Sequence, residues 1–375
     1  LYNEHKIDLI KASRIMGDIK ITFGIIVLNG QPFIGYNLRS LYPFAHQIIV
    51  VEGACRSAAK VANPEGHSRD NTLEMLRTFK AEEDPDNKLI IVTAETMGYP
   101  NGFWFEKDEM SQAYAIKATG NYLWQIDSDE FYKPEDMEKI INILKDDSDI
   151  KEIAFRTLTF WGGLKYRVDG VLLRLGDEDF HRLFAWKPGY KYLTHRPPTV
   201  VDDLGNNIKQ FKCISAKELA THGIYLYHYE YLFPLQVRNK AEYYSNASHC
   251  RGLRPDQRWV DECYMNISKP YRVHNINGWL SWLEKYEGTH PIIIETMMKD
   301  ITENKFPDIT KRHTTDIDSL IKSKLYKAVI YIIKITMPLV KAYCFIKMEL
   351  RDIFIKIGIW PFIQLIRNTY KGKRH

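Results

Sequence analysis

Three short apolar, β-branched runs open the chain: 21–28 (ITFGIIVL), 46–51 (HQIIVV) and 88–94 (KLIIVTA). None alternates strictly between apolar and polar positions, so each predicts a strand covered on both faces. Helical stretches separate them, at 31–42, at 71–80 with Asp70 placed as an N-cap, and at 103–119, after which a fourth strand begins at 122. Strands alternating with helices predict a mostly parallel sheet with right-handed crossovers. Such sheets bind ligands beyond the carboxyl ends of their strands. Asn29, Glu52, Asp127 and Asp129 all fall on that edge.

After residue 150 the pattern changes. EIAFRTLTFWGG, FHRLFAWKPGYKYLTH and HGIYLYHYEYL read as longer strands broken by Gly, Pro and Asp turns, which predicts a mixed or antiparallel second half. Helix returns at 234–248 and 277–304, on either side of an irregular, aromatic and basic stretch at 250–276. The pattern thus divides the chain into an α/β domain over 1–245, irregular and helical segments over 246–316, and a tail over 317–375.

The tail is apolar, but lysines interrupt every run well short of the ~20 residues needed to cross a bilayer. Lys327, Lys334 and Lys341 are spaced seven apart, on one face of a helix. Pro338 and Pro361 predict a division into two or three helices. Charge sharpens the picture. Residues 311–375 carry 14 Lys and Arg against 4 Asp and Glu, leaving 38 against 43 elsewhere, so the overall +5 is a property of the tail. Basic amphipathic helices that cannot span predict a peripheral position on an anionic membrane surface. The alternative is packing on the catalytic domain or on a second copy as a homo-oligomer.

Composition adds little beyond class. With 45% hydrophobic and 13% aromatic residues, and no repeat, the chain is globular and not disordered. Five scattered cysteines, without a C-x-x-C pair, predict a reduced, cytoplasmic setting. The opening LYNEHKIDLIKASR has charges within any apolar region, so no signal peptide is expected.

The chemistry concentrates at 122–131, YLWQIDSDEF, where a buried strand ends on Asp127, Asp129 and Glu130. Two carboxylates released together from a strand end need a cation. Mg²⁺ or Mn²⁺ prefers such oxygen donors and shares its remaining positions with phosphates. The pattern therefore predicts a divalent metal that holds a diphosphate.

In this setting the chain resembles the family 2 glycosyltransferases. The resemblance spans about residues 20–235 and rests on ITFGIIVLNG, IIVVEG, HSRDNTLEML, FEKDEMSQAYA and YLWQIDSDEF in order. It implies a Rossmann-like α/β fold of the GT-A type, and transfer of a sugar from a UDP- or GDP-linked donor to a glycan, lipid-linked or protein acceptor, as in assembly of cell-surface polysaccharide. Glu52 would read the base or ribose, with Asn29 beside it, and Asp70 would contact the base or cap its helix. Lys107 would approach the diphosphate, with Gln112 one turn on. Asp127 and Asp129 would bind the metal, Glu130 would orient the donor sugar or support the metal shell, and His228 is a candidate third ligand.

The same resemblance implies inversion, with a base that deprotonates the acceptor. Where related sequences carry His-Glu-Pro-Pro, this chain has His195, Arg196, Pro197 and Pro198. The expected carboxylate is a cation, which points to an acidic sugar or phosphate as its partner. Asp202, Asp203 or Asp179 could then serve as the base, with His195 beside them. Trp259, Trp279 and Trp282 are candidate sugar platforms or core residues.

Two other classes compete. A nucleotide-sugar pyrophosphorylase should carry a Gly-rich, basic loop after the first strand, and this chain has NGQPFIGYN. A non-catalytic scaffold would use the basic tail alone. No RNA-binding signature appears, and nucleic acid is not an expected partner.

Overall fold

A computed structural model describes residues 18–99, 101–175, 179–246, 256–274 and 279–356. The chain adopts the expected α/β class, with two mixed sheets and helices at the C-terminal end. In the first half β1 (Ile21–Val27), β2 (Gln47–Glu52), β3 (Leu89–Val92) and β4 (Tyr122–Asp127) are parallel. They alternate with α1 (Phe33–Leu41), α2 (Thr72–Glu82) and α3 (Lys107–Lys117). Nearly every position of β1, β2 and β4 is buried, as non-alternating runs require.

The break in pattern near 150 is also real. β5 (Glu130–Phe131) is followed by α4 (Pro134–Asp146), then β6 (Glu152–Phe155), β7 (Thr157–Trp161), β8 (Tyr166–Gly170), β9 (Phe180–Ala185), β10 (Lys191–Thr194), β11 (Thr199–Val201), β12 (Cys213–Ile214) and β13 (Leu226–Tyr231). α5 (Pro234–Asn246) and β14 (Ser281–Lys285) come next. The large sheet has the order β12-β6-β9-β4-β1-β2-β3, and β9 runs antiparallel between β4 and β6. A second sheet has the order β14-β8-β7-β13-β5.

The strand β14 corrects the helix expected over 277–304. Ser281–Lys285 pairs with β8 over five residues, burying Trp282 and Leu283, and among the described residues of that span only α6 (Ile292–Thr302) is helical. Cross-strand pairing and burial outweigh local helical tendency at such short apolar runs.

Two features position the site. Gly24 in β1 lets α3 lie close, since a Cβ there would meet the Tyr114 ring at 2.5 Å. The second feature is the passage between sheets. Asp127 ends β4, paired with Ile26 in the large sheet, and Glu130 starts β5, paired with His228 in the other. The acidic motif is therefore the crossing point from one sheet to the next.

The tail forms α7 (Thr315–Lys322), α8 (Lys324–Ile335) and α9 (Met337–Lys356). Pro338 falls in the first turn of α9, where a missing N–H costs nothing. Lys341 belongs to α9 and Lys327 and Lys334 to α8, so only the latter two share a helix. Pro361 lies outside the described residues.

Candidate functional site

A cleft opens at the carboxyl ends of β1, β2 and β4 and is closed on the far side by α5 and the segment after β10. Its charged lining consists of Lys107, Asp127, Asp129, Arg196, Glu230 and Lys240, and both His195 and His228 face it. Three basic and three acidic side chains thus meet where an α/β sheet offers its ligand crevice.

The two aspartates are already paired with cations. Asp127 Oδ2 accepts from Arg196 Nη2 at 2.7 Å and lies 3.5 Å from Arg182 Nη2. Asp129 Oδ2 accepts from Gln236 Nε2 and Lys240 Nζ, both at 3.0 Å. Burial opposes ionisation of both carboxyls, but Arg196 and Arg182 hold Asp127 below the usual carboxylate range, and Lys240 and His228 do the same for Asp129.

Beneath them Glu130 is fully buried, and Arg182 is 3% exposed. Arg182 donates to both Glu130 oxygens, at 2.9 and 2.5 Å, while Glu130 Oε2 accepts from the Asp127 backbone N–H at 3.1 Å. This planar fork fixes the floor of the motif. Glu130 supports the turn from behind and does not line the cleft.

Lys107, the first residue of α3, holds its ammonium 4.3 Å from the Tyr243 ring centroid. Burial, followed by repulsion from Arg196, pushes its pKa down to about 8. Glu230 goes the other way. Burial raises it, but Lys240 and then His228 draw it down to about 2, so it is ionised at neutral pH.

His195 is 3% exposed. Its backbone N–H donates to Asp108 Oδ1 at 2.6 Å, and its Nδ1 lies 2.8 Å from Ser111 Oγ. Burial and the neighbouring Arg196 push its pKa well below the ordinary value, leaving the imidazole neutral at pH 7.

The other sequence candidates are placed as follows. Asn29 lines the cleft and, at φ 54°, also ties its loop together through Val61 O, Arg69 N and Ser68 Oγ. Glu52 is wholly buried, and its carboxylate is taken up by the Ser68 N–H at 2.8 Å and His67 Nδ1 at 2.7 Å. Asp70 accepts from Thr72 Oγ1 and from the Gln31 N–H. Gln112 accepts from the Tyr192 N–H, which joins α3 to β10. Glu52, Asp70 and Gln112 therefore build the walls and lie outside the cleft lining.

Asp202 accepts from the Leu204 and Asn206 N–H groups and from Asn206 Nδ2, so it organises the turn after β11. Asp203 sits in that same turn, against Gly189. Neither they nor Asp179 line the cleft. Trp259 and Trp282 are buried in the core, and Trp279 packs beside Trp282 in an apolar cluster. The platform reading gives way to the core reading for Trp259 and Trp282.

Sequence reasoning missed Arg182, Glu230, Gln236 and Lys240. Arg182 lies within FHRLF, where alternation about an inward charge was the available signal. Gln236 and Lys240 are one turn apart on α5, just beyond the His228 strand.

Divalent-metal chemistry can be tested against these donors. The basic groups use the Oδ2 atoms, whereas Asp129 Oδ1 lies 3.6 Å from His228 Nε2, too long for a hydrogen bond. Neighbouring ligands of one Mg²⁺ sit about 3 Å apart, given its octahedral geometry and short bonds. His228 Nδ1 is buried and makes no hydrogen bond. Two carboxylates and an imidazole are a suitable donor set once His228 gives up its proton; burial lowers its pKa, but Asp129 and Glu230 raise it above the ordinary value. Among the described residues, however, no group of three or more His, Cys, Asp or Glu is drawn together as a finished metal site.

No protein-family model matches the chain, and no curated protein matches it. Solved structures do align with part of it. Staphylococcus aureus TarS 1–349 matches over 37% of this chain and 36% of that one, at 16% identity and a TM-score of 0.28. A further TarS structure matches over 44% and 28%, at 14% identity and a TM-score of 0.30. Glucosyl-3-phosphoglycerate synthase from Mycobacterium tuberculosis, in complex with Mn²⁺, uridine diphosphate and glucosyl-3-phosphoglycerate, matches over 40% and 47%, at 16% identity and a TM-score of 0.28. The chain thus spans less than half the length of each of these three. At this level of likeness, what the protein does has to be read from its own residues.

Proposed function

We propose that the cleft binds a sugar nucleotide and transfers the sugar to a glycan or lipid-linked acceptor, as a metal-assisted, inverting glycosyltransferase of the GT-A type. One observation carries this reading. An ionised aspartate pair sits at the mouth of a parallel strand, inside a crevice that also holds Lys107, Arg196 and Lys240. A diphosphate joined to a divalent cation complements both sets of charge, whereas a neutral ligand leaves them paired only with one another, Asp127 with Arg196 and Asp129 with Lys240.

Asp127, Asp129 and His228 would hold the metal, whose contribution is to neutralise charge on the departing nucleoside diphosphate. The basic side chains would take the remaining phosphate oxygens, Arg196 in a planar fork and Lys107 and Lys240 as point charges. Asn29, just beyond β1, lines the same cleft and would take the nucleoside side.

Of the bases anticipated from the sequence, His195 lines the cleft. In the tautomer that donates Nδ1–H to Ser111, Nε2 presents a lone pair for the acceptor hydroxyl. Ionised Glu230 is a second proton acceptor in the same cleft.

The test is thermal shift and calorimetry with UDP and GDP, with and without Mn²⁺. A metal-dependent gain in wild type that disappears in Asp127→Asn and Asp129→Asn supports the proposal. Nucleotide binding untouched by both substitutions refutes it.

A further inference from the structure

α8 has two apolar faces. Tyr326, Ile330 and Ile333 are buried against Val171 and Trp282. The Tyr326 hydroxyl accepts from the Leu283 N–H at 2.8 Å, and Lys334 Nζ bonds Glu284 at 2.7 Å, so the helix is fastened to β14. On its other side Leu325, Ala328, Ile332 and Ile335 follow a three-four-three spacing and are all exposed. The stripe continues on α9, where Leu339, Tyr343, Ile346, Leu350 and Ile353 keep heptad-like spacing and are 72%, 64%, 57%, 46% and 48% exposed. Ten of the seventeen large exposed hydrophobics among the described residues lie between 325 and 353. A soluble surface rarely gathers that much apolar area in one place without an occupant.

Charge identifies the occupant. Residues 324–375 carry eleven Lys and Arg against two acids, Glu349 and Asp352. A second copy laid along the same stripe would bring like charges together, even though the spacing suits a helix pair. An anionic bilayer neutralises them and accepts the apolar side chains in the same step. Among the described residues no helix is long and apolar enough to cross a membrane. We infer that α8 and α9 lie flat on an anionic lipid surface, their outward apolar stripe sunk below the headgroups and the exposed Lys324, Lys327 and Lys341 at headgroup level. This inference stands apart from the chemistry of the cleft.

The test is co-sedimentation of the full chain with vesicles of phosphatidylcholine, alone or with added phosphatidylglycerol, together with analytical ultracentrifugation. Expected is binding to the anionic vesicles that weakens as salt rises, with much weaker binding to neutral ones. Leu325→Ser/Ile332→Ser/Ile335→Ser should lower it by about tenfold or more. Lys327→Glu/Lys341→Glu should do likewise without altering any apolar contact, and nucleotide binding should be unchanged in both variants. Failure to bind either vesicle, equal binding to both, or a dimer that the serine substitutions dissolve would each overturn the inference. Loss of nucleotide binding with intact vesicle binding would instead strike only at the reading of the cleft.

Discussion

The depressed pKa of Lys107 allows a quantitative test of how the cleft holds a diphosphate. With a pKa of about 8 in the free protein, the side chain is about 90% charged at pH 7 and about 10% charged at pH 9. Phosphate oxygens beside it favour the ammonium, so binding has to draw on the protonated fraction. Affinity for UDP or GDP should therefore fall about tenfold between pH 7 and pH 9, a change of about 1.4 kcal/mol. Phosphate itself is already about 90% ionised at pH 7, since its last pKa is about 6, so its own titration changes little over that range. Arg196 does not titrate there, and Asp129 and Glu230 raise the pKa of Lys240 against the effect of burial, which keeps that residue charged. The sign is fixed: tight below pH 8, weaker above. Isothermal calorimetry on wild type and Lys107→Arg, at constant salt, checks it, and the arginine variant should lose the slope while keeping the affinity. A flat wild-type profile, or a slope that survives in the arginine variant, would show that this ammonium does not meet the ligand.

Other outcomes follow from the surrounding structure. Gly24→Ala places a methyl group 2.5 Å from the Tyr114 ring, and should cost about 1–3 kcal/mol in denaturant unfolding through overpacking. Arg182→Leu leaves Glu130 buried without its partner, and should cost about 3–5 kcal/mol. That loss should grow as pH rises above the ordinary carboxylate range, because the stranded acid is tolerated only when protonated; a pH-independent loss would contradict it. His195→Gln should lower turnover by about 10²-fold or more at unchanged nucleotide affinity. Wild-type turnover in that variant, together with a comparable loss in Glu230→Gln, would move the role of base to Glu230.

The parallel half of the fold was legible because its strands announce themselves. β1, β2 and β4 are mostly apolar runs without strict alternation, and the aspartates sit directly on the C-terminal edge of β4, so the motif and its location could be read together. β14 was not legible. Its five residues resemble a helix start until β8 is present to pair with them, and that partner is more than a hundred residues away. Among site residues, Asp127, Asp129, Lys107, His195 and His228 do converge. Glu52, Asp70 and Gln112 keep their sequence positions near the cleft but spend their polar atoms on backbone and neighbouring side chains. A sequence shows that an acid ends a strand without showing which donor reaches it first. Arg182, Glu230 and Lys240 were missed for the converse reason: each matters through a partner contributed by a distant element.

The passage from β4 to β5 has a consequence for how this motif can vary. Asp127 is locked in register with Ile26 and Glu130 with His228, so only Ser128 and Asp129 lie between two fixed points. Adding or deleting one residue there would invert the parity of β5, turning Glu130 away from Arg182 and Phe131 to the opposite side of its sheet. Length at this spot is therefore constrained more tightly than identity, and a library built on the motif should exchange side chains while never changing their number.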